Sequence, residues 1–231
     1  DLAQLWIDTQ EKLDTLTAAQ NIEVLRQQFQ DQEAKFIKLA KELSQKRQKA
    51  AQQLSKEIST AMQTLAMSGG QLQIMLSPSE PSAKGIDHVE YLIAAHAGST
   101  PRPLAKVASG GELARISLAI SVITSQASFT PTLIFDEVDS GIGGAVAQTV
   151  GELLKKLGQS HQILCVTHLA QVAAQGNHHF KVIKTQTNGV TSSDVSSLGR
   201  QERIEEIARM LGGATITDTT RRHARELLGQ S

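Results

Sequence analysis

Helix breakers are missing from the first 67 residues: all 17 glycines and all 5 prolines lie beyond Met67. A stretch this long without them, rich in Gln, Ala, Lys and Leu, folds as helix and little else. Ile22, Phe29, Phe36, Leu43 and Ala50 recur at strict sevens, with Leu25 and Leu39 between them. Sustained heptads under-wind helices into a left-handed supercoil. A second register of Leu54, Ile58, Ala61 and Leu65 carries the stripe to about Met67, and residues 17–21 mark a break between a first helix and a longer one. Two readings stand: an amphipathic helix packed on its own domain, or one strand of an intramolecular coiled coil whose partner lies earlier in a longer protein. No globular segment within these residues can receive so long a stripe, which favours the coiled coil. Residues 1–67 are therefore expected to be an arm and 68–231 a second domain.

Composition narrows the class. The aromatic fraction is only 3%, as befits a chain whose first part is a long helix instead of a core. Lys plus Arg equals Asp plus Glu at 23 each, so net charge points to no partner. The basic run Lys35, Lys38, Lys41, Lys46, Arg47 and Lys49 reads as a solvated helix face, with a phosphate-backbone contact as the alternative. The single cysteine, Cys165, excludes a disulfide framework within the chain and suits a reducing cytosol. No apolar run reaches the roughly 18 residues that span a bilayer. The chain starts abruptly inside a helical pattern, as a fragment of a longer protein would.

Beyond Gly69 and Gly70 the pattern changes. QLQIML and HVEYLIAAH predict two strands joined by the polar loop SPSEPSAKGID. A helix is expected over 109–128, with Leu113, Ile116, Ile120 and Ile123 on its buried face. TLIF and QILCVT predict fully buried strands of a parallel sheet, separated by a helix over 145–157. A short helix over 169–175, a hairpin across Thr-Asn-Gly, and two amphipathic helices near 200–211 and 218–229 complete the chain. Strand and helix alternate from 109 to 180, which makes this an α/β layer with a largely parallel sheet.

Three short motifs carry the chemistry. SGGE (109–112) fits a capping box between Ser109 and Glu112, and its glycines clear the first turn of a helix whose exposed amides and dipole suit an anion. A well-capped helix would read the same. LIFDE (133–137) delivers Asp136 and Glu137 to the carboxyl end of a sheet, where α/β proteins bind ligands. Neighbouring strand residues face opposite sides, so the two acids can differ in role. Asp136 suits a magnesium ion, directly or through water, and Glu137 suits polarising an attacking water. VTH (166–168) brings His168 to the same edge, where it can bond a terminal phosphate. Asp139 follows in the next loop. The other six histidines show no ligand spacing, and Cys165 reads as a small core residue.

In this order the motifs resemble the C-terminal half of an ABC-type ATPase head. The resemblance implies that Ser109, Gly110 and Gly111, with Glu112, form the signature that caps the γ-phosphate of ATP held by the other head. It implies that Asp136 and Glu137 are the Walker B pair, Asp139 the D-loop acid in the ATP site, and His168 the switch histidine acting with Glu137. ATP and Mg2+ are the implied ligands. No GxxxxGK[ST] occurs, so the phosphate cradle is missing from this chain. A heptad helix upstream of the signature resembles SMC-like proteins, in which a coiled coil separates the two halves of one head. PLAKVASGGELARISLAI, PTLIFDEVDSGIGG, VTHLAQVAAQGNHHF and RIEEIARMLGG are similar to bacterial DNA-repair members of that group, with Ala170 standing where proline is expected.

That similarity implies an ATPase of the bacterial cytosol and nucleoid, acting in recombinational repair of DNA double-strand breaks. Its partners would be a second copy of the head joined through ATP, the P-loop half of the same protein, and DNA ends, with no membrane. This segment alone would be inactive. Two other readings remain open: a nucleotide-gated structural tether of DNA ends in which hydrolysis is secondary, and a transporter-type ATPase subunit, which the heptad arm disfavours.

Overall fold

A computed structural model of the chain describes residues 2–19, 22–106, 110–127, 130–187, 190–213 and 215–229. Two helices open it, α1 (Leu2–Ala19) and α2 (Ile22–Gln63), as the missing glycines and prolines require. The strands β1 (Gln71–Ser82), β2 (Gly85–Ala94) and β3 (Arg102–Pro103) form a three-stranded sheet in that order. Helix α3 (Gly110–Thr124) leads to β4 (Thr132–Phe135), α4 (Gly144–Leu157), β5 (Gln162–Cys165) and the single turn α5 (Ala170–Ala173). The hairpin of β6 (Phe180–Thr187) and β7 (Val190–Ser197) precedes α6 (Arg200–Gly212) and α7 (Asp218–Leu227). The α/β class is as expected. Among the described residues, the β4–β5 pair is parallel, in register from Thr132 against Gln162 to Phe135 against Cys165, while β6 and β7 are antiparallel. None of the described helices is long and apolar enough to cross a membrane.

The chain divides into two compact units, one of residues 1–50 and 76–89, the other of 51–75 and 90–231. In the first, the hairpin tip is tied to α2 by Asp87, which accepts from Ser44 Oγ at 2.7 Å and from Arg47 Nη1 at 3.1 Å. Arg47 is thereby committed to an ion pair, whereas Lys35, Lys38, Lys41, Lys46 and Lys49 are exposed. The seam residues Ile22, Leu25, Phe29 and Leu39 are all more than half exposed. Strand β1 runs on through the segment read as a loop. Pro78 and Pro81 are tolerated because β1 is an edge strand, and Gly85 turns the chain with φ at +101°.

In the second unit a core of Ile58, Met62, Leu65, Met67, Ile116, Leu118, Val138 and Val150 is almost fully buried. The buried face of α3 departs from the expected one of Leu113, Ile116, Ile120 and Ile123. Its buried residues are Gly111, Arg115, Ile116, Leu118 and Ala119, while Leu113 is 40% exposed. The parallel strands are also not buried on both faces: Ile134, Leu164 and Val166 stand 70%, 46% and 62% exposed. Alternation sends these side chains to one side of the pair, which stays open among the described residues.

Around α5, α6 and α7 a second core gathers Ala170, Ala173, Ile204, Ile207, Ala208 and Ala224. The turn α5 is too short to hold itself, and Arg203 of α6 collects its last carbonyls. The guanidinium donates to Ala173 O at 3.2 Å, to Ala174 O at 3.0 Å and to Gly176 O. Glu206 is buried but bound on both oxygens by Arg209, and by Lys181 at 2.5 Å. These bonds, Arg209's first, hold its carboxyl down to about 2. A depressed carboxylate stabilises the fold above its unfolded pKa, near 4.5, and that contribution fades as pH falls through about 2. Glu206→Gln should therefore lower the unfolding midpoint in urea at pH 7, and its gap from wild type should close between pH 4.5 and pH 2. A constant gap across that window would refute the ion-pair origin.

Candidate functional site

Phe135, 5% exposed, anchors the last residue of β4 in the core, so the chain must leave the sheet at Asp136. Asp136 and Glu137 are both exposed at that edge. Their divergence does not come from strand alternation, because β4 has already ended. Glu137 sits in the left-handed region with φ at +58°, a conformation costly for a side chain and typical of working sites. Its amide donates to Asp136 Oδ1 at 2.9 Å, and Ser140 N donates to its carbonyl at 3.0 Å, closing a tight turn. The Glu137 carboxylate reaches the start of α3: a Cβ added to Gly110 would stand 2.5 Å from Oε2. Glycine at 110 thus lets the acid and the helix N-terminus share one place.

Val138 and Asp139 turn inward, 0% and 2% exposed. Asp139 Oδ2 accepts from Thr167 Oγ1 at 2.5 Å, from His168 N at 3.0 Å, and lies 3.3 Å from His168 Nδ1. The imidazole itself is 71% exposed. With Nδ1 turned to Asp139, its Nε2 is the nitrogen presented outward. Asp139, expected as an acid in a loop, is therefore a buried acceptor that binds the end of β4 to the end of β5. Asp136, Glu137 and His168 do share one edge. Glu112 stands at the first turn of α3, its Oε1 3.4 Å from His96 Nε2. Ser109 and the capping bond expected of it lie outside the described residues.

Two residues that sequence reasoning passed over complete the arrangement. Thr167 holds Asp139 and accepts from Leu169 N at 3.1 Å, and Arg115 binds Ser140 O from α3 at 2.7 Å. The signal for Thr167 was its place in VTH. For Arg115 it was a charged residue four after Gly111 on an otherwise apolar helix. A groove of about 300 Å³ runs from Gly110 and Leu113 to Ile134 and Asp136.

Asp136 offers an accessible carboxylate with one oxygen engaged by an amide. Magnesium is held in phosphate sites by one or two carboxylates plus waters and phosphate oxygens, and a single acid of this kind fits that demand. Behind it, Cys165 packs against the core, and burial, then the carboxylates of Asp139 and Asp136, push its thiol up to about 12. Such a thiol stays protonated at neutral pH and is no nucleophile. Iodoacetamide at pH 8 should label native Cys165 at least about a hundredfold more slowly than a free cysteine. Labelling at the free rate would show that the pocket around β5 is open.

The class of the protein follows from this fold. The Smc head domain with coiled coil and joint from Pyrococcus yayanosii superposes on 70% of the chain, and on 29% of its own, with a TM-score of 0.51 and 24% identity, so the fold is that of part of an SMC head. No family model matches the chain. The particular relatives are DNA repair proteins named RecN. The chain is 49% identical to that of Xylella fastidiosa strain 9a5c over 197 residues, covering 84% of this chain and 35% of the relative. It is 47% identical to that of Vibrio cholerae over 195 residues (84% and 35%), and 38% identical to that of Treponema pallidum over 226 residues (95% and 39%). Over most of its length the chain is thus homologous to RecN, and it spans about a third of those relatives' length.

Proposed function

We propose that this chain is the signature and Walker B half of an ATPase head in a RecN-type protein of double-strand-break repair. The observation that carries the reading is the shared edge: Asp136, Glu137 and His168 meet at the carboxyl ends of two parallel strands, and the start of α3 touches Glu137. In this reading the P-loop half of the same protein, supplied by the segment that the relatives carry beyond the part matched, lies on the open face marked by Ile134, Leu164 and Val166. ATP binds between two heads. Ser109, Gly110, Gly111 and Glu112 of one copy cap the γ-phosphate held by its partner.

Roles follow from placement. Asp136 would hold magnesium, which when bound neutralises phosphate charge. Glu137, free at the edge, orients and polarises the attacking water, since phosphoryl transfer depends on positioning and charge more than on covalent help. His168 offers Nε2 to the terminal phosphate while Asp139 fixes its ring. Hydrolysis then removes the group that joins two heads, so nucleotide state governs head pairing, and through it the holding of DNA ends in the bacterial cytosol.

Glu137→Gln in the full-length protein tests this. ATP turnover should fall at least about a hundredfold while ATP binding persists and the ATP-joined dimer lives longer. Turnover unchanged by Glu137→Gln would remove Glu137 from the chemistry.

A further inference from the structure

Arg115 has no part in the roles above, yet a buried cation is costly unless something holds it in place. It is 6% exposed, among the apolar residues of α3, and burial keeps its guanidinium below its ordinary pKa. Its Nη1 donates to the main-chain carbonyl of Ser140 at 2.7 Å, and its Nε is buried without a partner. Glu112, one turn earlier, attracts it electrostatically. A bond to a carbonyl reads the position of a backbone, not a charge. Ser140 directly follows Asp139, whose carboxylate receives Thr167 and His168. Gly111, one turn before Arg115 on α3, packs against the same contact: a Cβ there would stand 2.9 Å from Ser140 Cβ, 3.1 Å from its carbonyl oxygen and 3.2 Å from Arg115 Nη1.

We propose that Arg115 is a positioning residue that ties the first turns of α3 to the 139–140 loop and, through Asp139, sets where His168 stands. This rests on the ATPase reading. The path is continuous: α3, Arg115, the Ser140 carbonyl, Asp139, then Thr167 and His168, each step a hydrogen bond or one peptide unit. Occupation of the α3 N-terminus by a phosphate of another head is thereby felt at the histidine of this one. Coupling of two sites through such a chain needs a contact that shifts as a unit, and the hydrogen bond from Arg115 Nη1 to the Ser140 carbonyl supplies it.

The test is kinetic and uses the full-length protein. Arg115→Gln should lower kcat for ATP at least about tenfold while KM moves less than about twofold. Combined with His168→Gln it should be no slower than the slower single variant, because both act through the same group. Wild-type kcat in folded Arg115→Gln, or effects that multiply in the double variant, would overturn the proposal, since a merely structural arginine lowers Tm without such coupling. If Arg115→Gln does not accumulate folded, Arg115→Lys keeps the charge and changes the donor that reaches the Ser140 carbonyl. Non-additivity of Arg115→Lys with His168→Gln supports the path, and multiplication overturns it. The two readings fail differently: ATP turnover that Glu137→Gln stops and Arg115→Gln spares leaves the ATPase and removes the relay.

Discussion

One buried carboxylate holds the edge of the parallel strands together. Asp139 is 2% exposed and takes the Thr167 hydroxyl and the His168 amide on the same oxygen. Without those donors the group would be an unpaired charge in the core, a state that proteins do not sustain. With them, the chain leaving β4 and the chain leaving β5 become one unit, although some thirty residues separate Asp139 from His168. Everything exposed at the edge depends on that knot. Glu137, itself in the left-handed conformation, is turned outward two residues before Asp139, and His168 is presented just after the strand on the other side.

The same economy explains why glycine stands where it does at the start of α3. Gly110 and Gly111 are not there for flexibility. Each is a place where a side chain would strike the 137–140 turn, Gly110 against the Glu137 carboxylate and Gly111 against Ser140. The helix N-terminus and the acidic turn are therefore packed as a pair. Arg115 reinforces the pairing from inside the helix.

Much of this was legible in the sequence. The helices α1 and α2 follow from missing breakers, the parallel pair from two apolar runs separated by a helical span, and the shared edge from acids and a histidine placed just past those runs. What was not legible has physical reasons. Burial of Asp139 could not be read from spacing, because an acid after a strand is ordinarily solvated, and only the tertiary meeting with Thr167 makes the interior affordable to it. The buried face of α3 was misjudged at Leu113, since an apolar residue beside an open groove looks the same in one dimension as one in a core. The strands were expected to be covered on both sides, but Ile134, Leu164 and Val166 are exposed, and an apolar run reads the same whether one face or both are covered. The β1 strand ran past its expected end because an edge strand tolerates proline.

The central claim is that this chain holds half of a catalytic site and that the other half brings the phosphate cradle. Mixing it with the separately expressed P-loop segment of the same protein, and following phosphate release from ATP, tests that most directly. Turnover that appears only in the mixture and is lost with Glu137→Gln is the predicted result. Turnover by this chain alone would contradict it.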